Sequence, residues 1–226
     1  MTVILGSTSP RRHELLASLI GEDNLTVLPP RDSNEASFHG LCTQDEISRQ
    51  LLRIVQSKMD DVISQVQNLP DATLATVVCA DTIVVAGPVN QPVVLGKPPV
   101  TNWQPVVREW FQTYYSGRTH EVWTGLLLQQ GERRQQRIVK TIVHMPKFDP
   151  ALIDWYLSTN EPIGKAGGYG IQGQAAALVT GLEGSLTNVI GLPVLELAAD
   201  LQAFGEIAPT ESGFGNSFDH PAEATD

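Results

Sequence analysis

The chain has 226 residues with a hydrophobic share of 42%, enough apolar surface for a real core and, at roughly 100–200 residues per domain, better suited to one domain of two lobes than to two independent ones. A formal net charge of −10 argues against broad binding to nucleic acid or anionic membrane, and no apolar run approaches the roughly 18 residues of a membrane span. No basic start followed by a long apolar stretch marks a signal peptide, so a cytoplasmic protein is expected. Cys42 and Cys79 stand in unlike contexts and supply neither a metal-ligand spacing nor a disulfide framework.

In chain order, Val3-Ile4-Leu5 reads as a strand that breaks into Gly6-Ser7-Thr8-Ser9 and turns helical. Ser9 is the N-cap, Pro10 takes the first helical position, and Leu15, Leu16, Leu19 and Ile20 recur at helical spacing. Leu25 to Leu28 is a strand ended by Pro29-Pro30, residues 31–42 form a polar loop containing Glu35, and Thr43-Gln44-Asp45-Glu46 is a capping box. The long helix that follows carries Ile47, Leu51, Ile54, Val55, Met59, Val62, Ile63 and Val66 on its apolar side, with Lys58 near its middle. Residues 76–85 are apolar and β-branched on both sides of Asp81, the pattern of a central strand buried on both faces.

Val93 to Leu95 precedes a Gly96-Lys97-Pro98 turn, a helix is expected from Trp103 to Tyr115, and strands near 119–129 and 135–144 form a hairpin. Asp149 and Pro150 start a helix through about Leu157, residues 164–173 are a Gly-rich loop, and Pro193 starts a last helix closed by Gly205. Strands alternating with helices, followed by a hairpin, define a mixed-sheet α/β protein. From Glu206 onward the chain carries five carboxylates and no Lys or Arg, a composition read as a disordered appendage beyond a body of residues 1–205.

Several residues invite chemistry. Arg11 and Arg12 fall in the first turn of a helix, where the positive dipole end disfavours cations unless an anion sits between them; backbone N–H groups of the preceding loop aim at the same spot, which is a phosphate site or a solvated basic turn. Asp81, a charge inside an apolar strand, requires a cation, a metal or hydrogen bonds, or else caps a neighbouring turn. Thr82 should face the opposite side of the strand, so that the two share a site only where the strand bends. Gly96 permits an unusual backbone that can aim Lys97, although an exposed loop lysine is the default; Lys58 by default is a solvated or snorkelling lysine of its helix unless something anionic faces it. In Lys165 to Gly173, four glycines let the backbone approach a ligand, with Tyr169 for stacking and the Gln172 amide for reading a base edge. His120 has no acid or second histidine nearby in sequence, which favours a structural histidine over a general base.

Together these segments resemble the Maf family of nucleoside triphosphate pyrophosphatases. The matching residues are Leu5 to Arg12 with Glu14-Leu15-Leu16, Glu35, Lys58, Ala80-Asp81-Thr82, Gly96-Lys97-Pro98, Ser116-Gly117 with His120 and Val122, Lys165 to Gly173, and Gly191-Leu192-Pro193, in family order from residue 3 to about 200. The resemblance implies an elongated mixed sheet flanked by helices, two lobes around a deep cleft, as in the inosine triphosphatase-like group. It implies hydrolysis of a nucleoside triphosphate to the monophosphate and pyrophosphate with a divalent cation, Mg²⁺ or Mn²⁺, and a homodimer is a family expectation. Ile171-Gln172-Gly173 is similar to the branch acting on dTTP and UTP. By position, Asp81 corresponds to the proton acceptor, and Arg11, Thr82 and Gln172 to the substrate-selecting residues. Ser7, Arg11, Arg12, Lys58 and Lys97 are the candidate phosphate ligands, and Glu35 and Asp81 the candidate metal ligands. The chain departs from the family pattern at Asn34, Cys79 and Gly164, which stand where an acid, a glycine and an aspartate are usual. A nucleotide-binding regulator of cell division or septum formation without turnover and a pyrophosphatase for modified purine triphosphates are the alternatives.

Overall fold

The computed structural model describes residues 2–31, 36–67 and 75–208. Strands β1 (Val3–Leu5), β2 (Leu25–Val27), β3 (Thr76–Ala86), β5 (Thr119–Gln130), β6 (Arg133–His144) and β7 (Gly181–Glu183) build one mixed sheet in the order β2-β1-β3-β5-β6-β7, and β4 (Val93–Leu95) pairs with β3 off that path. β1 runs parallel to β2 and β3; the remaining pairs are antiparallel. The helices are α1 (Pro10–Ile20), α2 (Gln44–Val66), α3 (Trp103–Trp110, continued by a π-helical turn Phe111–Tyr115), α4 (Pro150–Ser158), α5 (Leu186–Ile190) and α6 (Val194–Phe204). Among the described residues no helix is long and apolar enough to cross a membrane.

The near-continuous apolar strands follow from burial on both faces. Val3, Leu5, Val78, Ala80, Leu126 and Leu128 pack with Leu16 of α1 and Leu197 and Leu201 of α6, while the residues between them, Ile4, Val77, Cys79 and Leu127, pack with Val55, Met59 and Val62 of α2. Further along the same strands, Val84, Val122 and Val143 join Phe111, Tyr115, Phe148 and Tyr156 in the core of a second lobe built on α3 and α4. The end signals read from sequence hold: Ser9, Thr43 and Asp149 each accept a backbone N–H of their helix, and Gly205 ends α6 in the left-handed region. β7 and α5 have no counterpart among the expected elements, because a three-residue strand and a five-residue helix are shorter than the windows in which periodicity registers. Glu206, expected to open the appendage, lies on the body: its Oε1 accepts from Thr76 Oγ1 at 2.6 Å and from Gln130 Nε2 at 2.9 Å, and Ile207 packs beside α6. Residues 209–226 fall outside the described residues.

One feature of the sheet creates the site. β5 occupies one edge of β3 from Val77 to Val85, and the opposite edge is shared by β1, which reaches Val78, and β4, which begins at Val84. Among the described residues no strand pairs the stretch Cys79 to Ile83 on that edge, a gap of roughly 16 Å at about 3.3 Å per residue. Register with β5 runs without a bulge through the gap, so side-chain alternation continues: Asp81 follows Cys79 on the α2 side and Thr82 follows Ala80 on the α1/α6 side.

Gly125 of β5 lies beneath α2, where a Cβ would stand 2.9 Å from Val55 Cγ2 and 3.1 Å from Leu51 Cγ. Gly125→Ala is therefore expected to push α2 off the sheet and lower stability by about 1–3 kcal/mol, measured as a reduced urea midpoint.

Candidate active site

At the gap opens a cavity of about 450 Å³, lined by the Gly6–Arg12 segment, Lys58, Asp81, Thr82, Lys97, Lys165, the Tyr169–Gly173 loop and Gly191. Because β3 is open at this edge, both of its faces are reachable, and Asp81 and Thr82 line one cavity without a bend in the strand. The expectation that only a bend could join them is corrected by the missing neighbour strand.

The loop after β1 is pinned before it enters α1. Gly6 N donates to Val78 O at 2.8 Å, and a Cβ on Gly6 would collide with the Cys79 thiol, so loop and strand lie in direct contact. Burial pushes that thiol up to about 12, which keeps it a neutral packing group. Ser9 N donates to Ser7 Oγ at 3.2 Å. Arg12 is held on three sides: Nε donates to Gly191 O at 2.8 Å, Nη1 to Ser7 Oγ at 3.2 Å and Nη2 to Thr82 Oγ1 at 3.0 Å. On the other face, Lys58 Nζ lies 2.5 Å from Asp81 Oδ1, with the lysine side chain 15% and the aspartate side chain 8% exposed. The charge inside the apolar strand is thus compensated by a lysine 23 residues earlier, half-buried rather than the solvated lysine of the default reading.

Lys97 is exposed on the loop after β4. Gly96 is not in the left-handed region; its contribution is a carbonyl that accepts Gly167 N at 2.9 Å and ties the two loops together. The Gly-rich loop is braced by phenols from the second lobe. Tyr115 OH donates to Gly167 O at 2.8 Å, and Gly167, at φ +68°, could carry no Cβ, which would stand 2.6 Å from both that hydroxyl and Val84 Cγ2. Tyr169, expected to stack on a ligand, is instead a core residue 6% exposed, its hydroxyl 2.7 Å from His120 Nε2 and its ring edge-on to Tyr115 and His120. Glu161, which sequence reasoning passed over, accepts Gln174 N at 2.5 Å and Tyr156 OH at 3.2 Å and so closes the far end of the loop. No local pattern marks a lone glutamate in a turn. The loop presents Gln172, exposed and lining the cavity.

Lys165 also lines the cavity; its Nζ donates to Glu161 O at 2.5 Å, and burial lowers its pKa, with Glu161 opposing and Arg11 reinforcing the shift. Among the described residues, five cations, Arg11, Arg12, Lys58, Lys97 and Lys165, therefore face one cavity with a single carboxylate, Asp81, in a chain of net charge −10. Like charges are gathered in this way where an anion of high charge density is received. Of the expected site residues, Ser7, Arg11, Arg12, Lys58, Asp81, Thr82, Lys97 and Gln172 all come together here, and Glu35 lies outside the described residues. Among the described residues no group of three or more His, Cys, Asp or Glu side chains could hold a metal ion.

A cavity at the open edge of a mixed sheet, lined among the described residues by five cations and the carboxylate of Asp81, defines the class: an α/β protein with a strongly cationic cleft. The model of the family described as Maf-like protein matches residues 2–204, and the chain belongs to that family. It is 40% identical over 203 residues to the dTTP/UTP pyrophosphatase of Roseobacter denitrificans, covering 89% of this chain and 96% of the relative. It is also 38% identical over 206 residues to the dTTP/UTP pyrophosphatase of Cereibacter sphaeroides and 36% identical over 203 residues to that of Symbiobacterium thermophilum, covering 91% and 90% of this chain and 96% and 94% of the relatives.

Burial, with a smaller contribution from His144, pushes His120 down to about 3, so this histidine is neutral and structural. Because the unfolded chain protonates near 6.5 and the folded one near 3, the unfolded state binds the extra proton between these values. Stability is expected to fall as pH drops from about 6.5 toward 3, by up to roughly 1.4 kcal/mol per pH unit from this residue. His120→Gln should flatten that slope in urea titrations at pH 7.5, 6 and 5.

Proposed function

We propose that the protein hydrolyses nucleoside triphosphates, dTTP and UTP foremost, to the monophosphate and pyrophosphate. The observation that carries this reading is the convergence of five cations on a cavity where, among the described residues, Asp81 is the lining carboxylate and is paired with Lys58. Cleavage between the α and β phosphates requires a water aimed at the α-phosphorus and compensation of charge on the departing pyrophosphate. Asp81 orients that water and accepts its proton as the new bond to phosphorus forms and the bridging oxygen leaves with the pyrophosphate. Arg11, Arg12, Lys58 and Lys97 neutralise the leaving group, with Ser7 Oγ and the N–H groups of its loop as further donors. Lys165, outside the residues first expected, adds a fifth cation at the Gly-rich loop.

The donor set fits Mg²⁺ or Mn²⁺ held chiefly by substrate. Mg²⁺ keeps several waters and takes one or two carboxylates plus phosphate oxygens, so Asp81 suffices as a described protein ligand, with Glu35 the second. When bound, the ion supplies charge compensation on the phosphate oxygens and acidifies water. For selectivity, Gln172 offers a paired donor and acceptor to the carbonyl and N–H edge shared by thymine and uracil. Relatives named dTTP/UTP pyrophosphatase at 36–40% identity support both the reaction and the base preference.

Pyrophosphate release from dTTP, UTP, CTP, GTP and ATP with Mg²⁺ or Mn²⁺ tests the reading. Asp81→Asn is expected to lower kcat by about 10²–10⁴-fold with the fold intact by circular dichroism; wild-type rates in that variant remove Asp81 from the mechanism, and nucleotide binding without turnover by the wild type makes the protein a binder. Gln172→Ala is expected to shrink the dTTP to GTP ratio in kcat/KM about tenfold, and an unchanged ratio would assign base choice elsewhere.

A further inference from the structure

Between the apolar cores of the two lobes, on the α1/α6 side of the sheet, runs a short polar belt. Along β3 it interrupts the series Ala80, Thr82, Val84, and along β5 the series Val122, Thr124, Leu126. Thr82 and Thr124 are direct cross-strand partners with hydroxyls 3.0 Å apart. Thr124 is fully buried, does not line the cavity, and donates to Asn188 O at 3.3 Å. A buried hydroxyl between two apolar cores costs stability unless it is bonded, so its presence requires a reason beyond packing.

The proton inventory supplies one. Thr82 Oγ1 accepts from Arg12 Nη2 at 3.0 Å and shares one proton with Thr124 Oγ1, either hydroxyl being able to donate; Gly191 O at 3.4 Å is a second acceptor for Thr82, as Asn188 O at 3.3 Å is for Thr124. In either arrangement both hydroxyls are satisfied, and they link the guanidinium to α5 and the turn that follows it. α5 secures the far end: Asn188, fully buried, donates through Nδ2 to Val122 O and to Thr141 Oγ1, both at 3.0 Å. The same helix delivers Gly191 O to Arg12 Nε at 2.8 Å.

We infer that Thr124 and Asn188 are positioning residues that act through Thr82 to hold the Arg12 guanidinium in register with the phosphates of the substrate. The inference deepens the proposed pyrophosphatase reading and rests on it for the identity of the ligand. Its physical content is preorganisation: a long arginine held by protein acceptors loses less rotamer entropy when an anion arrives.

The test compares wild type, Thr124→Val and Thr124→Ser. Inorganic pyrophosphate affinity is measured by calorimetry in metal-free buffer, kcat/KM with dTTP and GTP, and thermal unfolding controls for the fold. Thr124→Val, near in volume but without the hydroxyl, is expected to weaken pyrophosphate binding and lower kcat/KM for both nucleotides about three- to tenfold, the size of one neutral hydrogen bond. Thr124→Ser should recover most of the loss. Wild-type pyrophosphate affinity in a folded Thr124→Val, or a Thr124→Ser as weak as the valine variant, overturns the inference. If Thr124→Val does not fold, Thr124→Ala is judged by the same two criteria. Failure of the wild type to release pyrophosphate from dTTP while still binding inorganic pyrophosphate would sink the proposed reaction and leave the positioning role standing.

Discussion

Everything at the site depends on two short strands sharing one edge of β3 without meeting. β1 ends at Leu5, opposite Val78, and β4 ends at Leu95, opposite Val84; among the described residues the stretch of β3 between them pairs with β5 on the other side only. A strand flanked on both edges offers its faces to two separate environments; a strand open on one edge lets a single cavity reach around it. That geometry allows consecutive residues, Asp81 and Thr82, to serve one cavity from opposite sides, Asp81 through Lys58 of α2 and Thr82 through Arg12 of α1. The long crossover helix α2 and the loop into α1 are thereby brought to the same phosphate-sized space from different layers of the fold.

The second lobe contributes rigidity of another kind. A loop with positive φ at Gly167 and Gly168 has little backbone preference of its own, and its shape is set by buried hydroxyls from Tyr115, Tyr156 and Tyr169. The phenols stay protonated because burial raises their pKa, so they remain donors at any pH at which the fold persists. His120 meets Tyr169 from beneath as a neutral ring. The Gly-rich segment is a flexible sequence made stiff by its supports, which suits a loop that presents one amide, Gln172, to a ligand.

Much of this was legible in the sequence, for reasons that differ by residue. Caps and periodicity placed α1, α2, α4 and α6, since Ser9, Thr43, Asp149 and Gly205 act through neighbours a few residues away. Arg11, Arg12 and Asp81 were legible as anomalies: paired arginines at a positive helix end, a charge in an apolar strand. What sequence could not supply was partnership across distance. Lys58 had no visible reason to meet Asp81, Glu161 none to cap a turn at Gln174, and Tyr169 looked available when its hydroxyl was already taken. β7 and α5 escaped because their residues are few, yet α5 carries Asn188 and leads to Gly191. The open edge of β3 is a property of pairing and has no signature in any single segment.

The sign of the charge around the cavity has a consequence for how a ligand arrives. Taken as a whole, the protein is an anion of −10, and five of those charges lie from Glu206 onward, whereas the cavity, among the described residues, gathers five cations around one carboxylate. At physiological ionic strength fields decay over about 8 Å, so a nucleotide approaching from farther away meets little of either. Long-range steering is therefore weak and capture is a local event, decided within the last nanometre by cations whose directions are already set. Dilute salt, which lengthens the reach of both fields, would then let the net negative charge of the chain oppose the pull of the cavity, so that polyanions are admitted by fit at close quarters rather than by attraction from afar.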